Sequence, residues 1–315
     1  MEKAKELIAN AENLAIIMHT KPDGDTIGSA LSLYYTLIKE NKKVELLCDD
    51  VIPSKFDFIM PKCGLSDADK PKYDLIVSID CSDVERLGKY YDIYRKTKNT
   101  VCFDHHKTNT RFAKHVVLRA NYASTAELMF EFLEYYNRDL IDKRICECVY
   151  IGIVTDSGGF CYPEVSSNTH LIAARLYEYG INANYLYNKV FRSKSMKRFK
   201  LHMRAVSRAR FYNDNAIALV CFFEKDFEET NTDISDTEGC INIVQNIDEV
   251  KISIAVTEAG KDCFKISFRS IEELDVSECA GVFGGGGHKN ASGCKVYGPF
   301  EEVVERVVKA ARDIL

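Results

Sequence analysis

The chain has no apolar run near the roughly 20 residues that a membrane-spanning helix requires; its longest apolar stretches are of strand length. It has no low-complexity tract. Its opening, Met1-Glu2-Lys3-Ala4-Lys5-Glu6-Leu7-Ile8, lacks the apolar core and small-residue cleavage site of a secretory leader. No leader and no membrane association are expected, and the expected location is cytoplasmic. A basic excess is missing too. With 42 Lys and Arg against 47 Asp and Glu, the formal charge of -5 argues against a protein that coats long nucleic acid and leaves a small anionic substrate open. Cysteine is plentiful at 12, but no C-x-x-C pair occurs and several cysteines lie in apolar runs. They read as buried free thiols rather than disulfides or a thiolate metal site.

What is present suffices for two domains, since 315 residues with 46% hydrophobic content can bury a sizeable core. The N-terminal half alternates short apolar runs at 14–19, 44–48, 75–80 and 100–103 with helical patterns at 26–40, 124–136, 140–154 and 168–179. That order predicts an α/β domain over 1–185 with a mainly parallel sheet and helices on both faces. The stretch 189–210 carries nine Lys or Arg and no acid. Its Phe191, Met196, Phe199, Met203 and Val206 recur at helical spacing, so 186–210 is expected to be a basic linker helix with one buried stripe. Its outer surface is either merely solvated or a phosphate-attracting wall. Apolar runs at 216–223, 251–257 and 263–268, a glycine run and a helical pattern over 300–314 predict a smaller mixed α/β domain at 211–315.

Chemistry concentrates where the elements of the first domain end. Asp104-His105-His106 follows the strand-like run 100–103 directly, and two imidazoles and a carboxylate there can bind a divalent cation, donate a proton, or both. The first strand runs into His19-Thr20-Lys21-Pro22-Asp23-Gly24-Asp25, which should aim His19, Asp23 and Asp25 into one crevice. Gly24 is read as letting the turn between the carboxylates fold back, and Gly28 as permitting close helix–sheet packing. Taken alone, the motif is a weak signal for a metal site and fits a polar turn with an Asp helix cap better. Asp80 ends the strand 75–80, with Asp83 behind it as a helix cap. Asp156 follows the apolar helical stretch 149–154 and heads a Ser-Gly-Gly turn, which on its own suits a cap. Four termini presenting carboxylate or imidazole in one domain is a coincidence that single motifs rarely produce. Further on, Gly284-Gly285-Gly286-Gly287-His288 suits a flexible loop or a backbone nest for an anion, and Arg269-Ser270 ends the preceding strand.

The ordered set of H-x-x-x-D-x-D, a strand-end Asp, D-H-H, T-D-S-G and G-G-G-G-H resembles the DHH phosphoesterase superfamily over nearly the whole chain. Within it, the length and C-terminal signature look like the NrnA-type branch of nano-RNases and pAp phosphatases, whose C-terminal DHH-associated domain closes over the substrate. The resemblance implies two divalent cations, usually Mn2+. His19, Asp23 and Asp80 would hold one, and Asp25, Asp80, His105 and Asp156 the other, with Asp80 as the bridge. A set of oxygen and imidazole donors without thiolates suits such ions. His106 would act on the phosphoryl group, with Asp104 orienting an imidazole. Arg269, Ser270, Gly285, Gly286, Gly287 and His288 would grip a nucleotide phosphate.

The implied activity is hydrolysis of RNA of two to five nucleotides to nucleoside 5′-monophosphates, with removal of the 3′-phosphate of pAp. Homodimerisation through the first domain is a further implication. The alternatives are a phosphodiesterase for cyclic or linear dinucleotides (pApA, pGpG) and, from another class, a non-catalytic nucleotide-binding module. A family II pyrophosphatase matches poorly after residue 200, and a RecJ-type exonuclease needs further nucleic-acid-binding domains.

Overall fold

Runs such as Leu14-Ala15-Ile16-Ile17-Met18 and Leu75-Ile76-Val77-Ser78-Ile79 have no polar alternation, the mark of strands covered on both faces. The computed structural model, which describes residues 1–67, 73–271 and 273–315, places them in the centre of a five-stranded parallel sheet. The first unit, Met1–Ser193, runs α1 (Glu2–Asn10), β1 (Asn13–Met18), α2 (Gly24–Lys39), β2 (Lys43–Leu47), β3 (Leu75–Ile79), α3 (Tyr91–Lys96), β4 (Thr100–Asp104), β5 (His115–Leu118), α4 (Thr125–Asn137), α5 (Lys143–Asp156), α6 (Ser167–Glu178) and α7 (Ala183–Tyr187). Strand order is β2-β1-β3-β4-β5. One face buries Leu14, Ile16, Val77, Val101 and Phe103 against apolar residues of α2, α4 and α5. The other buries Ala15, Ile17, Ile76 and Cys102 with Leu87, Tyr90 and Tyr94. Helical segments thus cover both faces, as the alternating pattern predicts.

This order reverses direction at β1 and β3, and ligands of open parallel sheets sit outside the carboxyl ends of the strands at such a point. His19 and Asp80 are the residues that follow β1 and β3.

Two glycines act differently from the sequence expectation. The helix α2 begins at Gly24 itself, with Asp23 as its N-cap accepting from the backbone N–H of Asp25 and Thr26. Gly24 therefore makes no reversal. A Cβ there would lie 2.3 Å from Thr155 Oγ1, so glycine is needed for the approach of α5. Gly28 likewise serves helix–helix rather than helix–sheet packing, since its Cβ would lie 2.3 Å from the carbonyl oxygen of Cys148 and 2.8 Å from the nitrogen of Gly152. Both obstacles are backbone. Gly28→Ala is expected to cost about 2–3 kcal/mol of stability by overpacking, against a helix-propensity gain of under about 1 kcal/mol. Urea unfolding checks this, and an unchanged midpoint would show that α2 and α5 are free to separate.

The second unit, Lys194–Leu315, contains α8 (Met196–Ser207), β6 (Arg210–Tyr212), β7 (Ile217–Phe222), α9 (Glu224–Thr230), α10 (Ile241–Gln245), β8 (Ile252–Glu258), β9 (Cys263–Ser270), α11 (Val276–Gly281), β10 (Gly286–His288), β11 (Ala291–Tyr297) and α12 (Phe300–Arg312). Its six strands form a mixed sheet, β10-β11-β9-β8-β7-β6, in which only β7 and β8 are parallel. Helices α11 and α12 cover one face and α8 and α10 the other.

The basic segment 186–210 is not one helix. After α7 a π-helical turn covers Asn188–Arg192, and α8 starts at Met196, just past the division of the units between Ser193 and Lys194. Nor is its predicted stripe buried: Met196, Phe199 and Met203 are 68%, 49% and 39% exposed. The helix instead buries Leu201 and Ala205, the i, i+4 pair that meets Ala218 and Val220 of β7. Among the described residues no helix is long and apolar enough to cross a membrane. All 12 cysteines are free thiols, nine of them buried.

Candidate active site

The carboxyl ends of β1, β3 and β4 and the end of α5 converge. Seven residues from them form three overlapping groups whose ligand-type atoms lie within 4.8 Å of one another: His19, Asp23 and Asp80; Asp25, His105 and Asp156; Asp80, His105 and His106. Asp80 is 3% exposed and adopts φ +58°, a left-handed backbone uncommon outside glycine that marks strain held in place by its surroundings. Its amide donates to the Phe103 carbonyl of β4 at 2.8 Å, and Thr26 Oγ1 of α2 ties the Ile79 carbonyl at 3.0 Å. The two oxygens of Asp80 face different ways. Oδ2 lies 3.5 Å from His19 Nε2, and Oδ1 lies 3.7 Å from His105 Nε2 and 3.5 Å from His106 Nδ1.

The three imidazoles are set in two orientations. His19 Nδ1 donates to the Thr20 carbonyl at 2.7 Å, and His105 Nδ1 donates to the Tyr122 carbonyl at 3.0 Å. In the neutral ring that leaves each Nε2 lone pair aimed at the carboxylates, the tautomer a metal ligand needs. His106 is turned the other way, its Nδ1 donating to Asp104 Oδ1 at 2.7 Å. Asp104 is fully buried and also accepts from the backbone N–H of His105 and from Asn109 Nδ2, at 2.9 and 2.5 Å.

Burial works against the charged ring of His19, yet its hydrogen bonds with Asp23 and Asp80 and their charges prevail, raising its pKa to about 10. His105 rises to about 11, with burial again overcome by Asp156, Asp25 and Asp80. His106 is raised chiefly by its hydrogen bond to Asp104. Asp25 is pushed well up by burial and by the charges of Asp80 and Asp156. Asp156 is raised by burial, with the His105 hydrogen bond opposing. Burial would also raise Asp80, but hydrogen bonding to His19 and the neighbouring imidazoles hold it below the usual carboxylate range. The cluster thus draws in protons to balance its negative charge, and divalent cations do the same work. An all-oxygen and imidazole donor set fits hard or borderline divalent ions.

Residues that sequence reasoning passed over hold this arrangement. Thr125, the first residue of α4, donates through Oγ1 to Asp80 Oδ1 at 2.7 Å. The backbone N–H groups of Thr125 and Ala126 donate to Asp25 Oδ2 and Oδ1 at 2.7 and 2.9 Å. The sequence signal was the Ser124-Thr125 helix start, with Ser124 capping Glu127.

In the second unit the glycine run is a loop only at its start, Gly284 and Gly285. Gly286–His288 form the edge strand β10, paired with β11. A Cβ at Gly285 would lie 2.3 Å from the Gly293 carbonyl, and one at Gly287, at φ +149°, 2.5 Å from that of Ala291. His288 pairs with Ala291, which pairs with Arg269. Paired residues of neighbouring strands share a face, so Arg269 and His288 emerge on one side of the sheet, two strand spacings or about 10 Å apart. Ser270 Oγ donates to the Leu274 carbonyl at 2.9 Å.

A parallel sheet that gathers Asp and His at its switch point, followed by a separate mixed-sheet unit, is the arrangement of a two-domain α/β protein with a candidate metal centre in its first domain. Residues 13–153 match the DHH family, N-terminal domain, and residues 213–315 match the DHHA1 domain; the chain belongs to the DHH family and is a DHH phosphoesterase with a DHHA1 domain. It is 28% identical to the bifunctional oligoribonuclease and PAP phosphatase NrnA of Thermus thermophilus, covering 95% of this chain and 89% of that one. The cyclic-di-AMP phosphodiesterase GdpP of Bacillus subtilis is 23% identical, covering 97% of this chain and 48% of that protein. The crystal structure of an exopolyphosphatase-related protein from Bacteroides fragilis superposes with a TM-score of 0.89 at 28% identity, over 99% of this chain and 95% of that one.

Proposed function

We propose that the chain hydrolyses RNA of two to five nucleotides to nucleoside 5′-monophosphates and removes the 3′-phosphate of pAp, using two divalent cations, Mn2+ by preference. The observation that carries the reading is the split of Asp80, one oxygen toward His19 and the other toward His105 and His106. His19, Asp23 and Asp80 would hold one cation, and Asp25, Asp80, His105 and Asp156 the other. When bound, such a pair neutralises phosphoryl oxygens and activates water at neutral pH. The chain's own residues do the rest. Asp104 holds His106 by its Nδ1, and the ring, 33% exposed, is proposed to deliver a proton through Nε2 to the leaving oxygen. Arg269, Ser270, Gly285, Gly286, Gly287 and His288 are proposed to grip the terminal nucleotide phosphate, Arg269 by a bidentate pair. The likeness to an oligoribonuclease and PAP phosphatase over nearly the full length of both chains supports this substrate class.

A hydrolysis panel with Mn2+ tests it, comparing pAp, pApA, pGpG, cyclic-di-AMP, pyrophosphate and RNA of two to twenty-four residues. Two- to five-residue RNA and pAp should be turned over at least about ten-fold faster than the longest RNA. Equal rates across lengths, or turnover confined to cyclic-di-AMP, would overturn the reading; the latter outcome would align the chain with its cyclic-di-AMP phosphodiesterase relative.

A further inference from the structure

Helix α4 begins where two of the carboxylates end. Its first two backbone N–H groups are spent on Asp25, one on each oxygen, and its first side-chain hydroxyl on Asp80. Asp25 lies in the first turn of α2 and Asp80 just past β3, 100 and 45 residues respectively from Thr125 in sequence. Thr125 is fully buried, as are Asp25 and Asp80 to within a few per cent. A buried carboxylate rotates about its last side-chain bond unless something fixes the plane. For Asp80 the Thr125 hydroxyl is that constraint: it occupies one lone pair of Oδ1, on the side of His105 and His106, and leaves Oδ2 toward His19. The positive end of the α4 dipole adds to the effect by favouring negative charge on both groups.

We infer that Thr125 is a positioning residue for the cation pair: its hydroxyl sets the plane of the Asp80 carboxylate so that one oxygen serves each cation group. This rests on the two-cation reading above. Thr125 touches no substrate in that scheme and acts only through Asp80. Its backbone N–H to Asp25 survives any substitution except proline, so the hydroxyl can be removed alone. Val is close to Thr in shape and keeps the methyl group in its packing.

The test is Mn2+ titration by calorimetry on the full chain, with thermal unfolding in chelator alongside. Thr125→Val is expected to bind the more weakly held ion about 10- to 100-fold less tightly than wild type, the usual effect of removing a group that orients a metal ligand. Thr125→Ser, which keeps the hydroxyl, should bind within about three-fold of wild type on the same grounds. Unfolding temperatures in chelator should agree among the three proteins. Unchanged affinity in Thr125→Val, with two ions still bound to wild type, would overturn the positioning role and leave the two-cation reading standing. Equal losses in the Ser and Val variants would overturn it as well, because shape rather than the hydroxyl would then be responsible. A wild-type chain that binds no Mn2+ would bring down the two-cation reading and this inference together.

Discussion

Asp80→Asn is expected to lower turnover of a dinucleotide by roughly 1,000-fold, about 4 kcal/mol of transition-state stabilisation, while leaving the fold intact. Asparagine keeps the size of aspartate and tolerates the left-handed backbone found at φ +58°, so the substitution removes charge and little else. The amide still offers one oxygen, but Asp80 uses both: Oδ1 toward Thr125, His105 and His106, Oδ2 toward His19. Whichever group meets the NH2 loses a ligand atom and faces a donor instead. Cation binding should therefore fall with activity. Full activity in Asp80→Asn, measured with saturating Mn2+, would show that the two groups do not share this carboxylate.

The second large effect concerns His106. His106→Ala is expected to reduce turnover by about 10²- to 10⁴-fold, the range for loss of a positioned proton donor, with Mn2+ binding close to that of wild type. The contrast with His19 and His105 is geometric. Those two donate through Nδ1 to backbone carbonyls and turn Nε2 to the carboxylates, whereas His106 donates through Nδ1 to Asp104. Asp104 in turn is fixed by the amide of His105 and by Asn109, so the pair is a rigid support for one ring. The competing assignment is specific, because Asp80, His105 and His106 also form a group able to hold an ion. If His106→Ala lost Mn2+ in step with activity, His106 would be a ligand and the proton-delivery role would fall.

Much of this centre was legible in the sequence for a simple reason. An unbroken apolar run predicts a buried parallel strand, and the residue after such a strand lies at the edge where ligands bind. His19, Asp80 and the Asp104-His105-His106 group follow directly from that logic, and β1, β3 and β4 end within a residue of the predicted positions. What stayed hidden depends on contacts distant in sequence. Thr125 looks like any residue in the first turn of a helix until α4 is laid across Asp25 and Asp80. Gly24 and Gly28 look like turn and packing glycines until Thr155 and Cys148 of α5 appear opposite them. Strand β5 is apolar at three positions but only four residues long, and β10 is mostly glycine, a residue depleted in strands. The α8 stripe failed because helical spacing finds an apolar face without saying which neighbour covers it; the face against β7 is the shorter Leu201 and Ala205.

The central claim is a pair of cations sharing Asp80, and electron paramagnetic resonance of the chain titrated with Mn2+ tests it most directly. The account predicts two Mn2+ per chain with an exchange-coupled signal, which ions roughly 3.5–4 Å apart produce, and loss of that coupling in Asp80→Asn. A single bound ion, or two ions with uncoupled spectra that Asp80→Asn leaves unchanged, would contradict it.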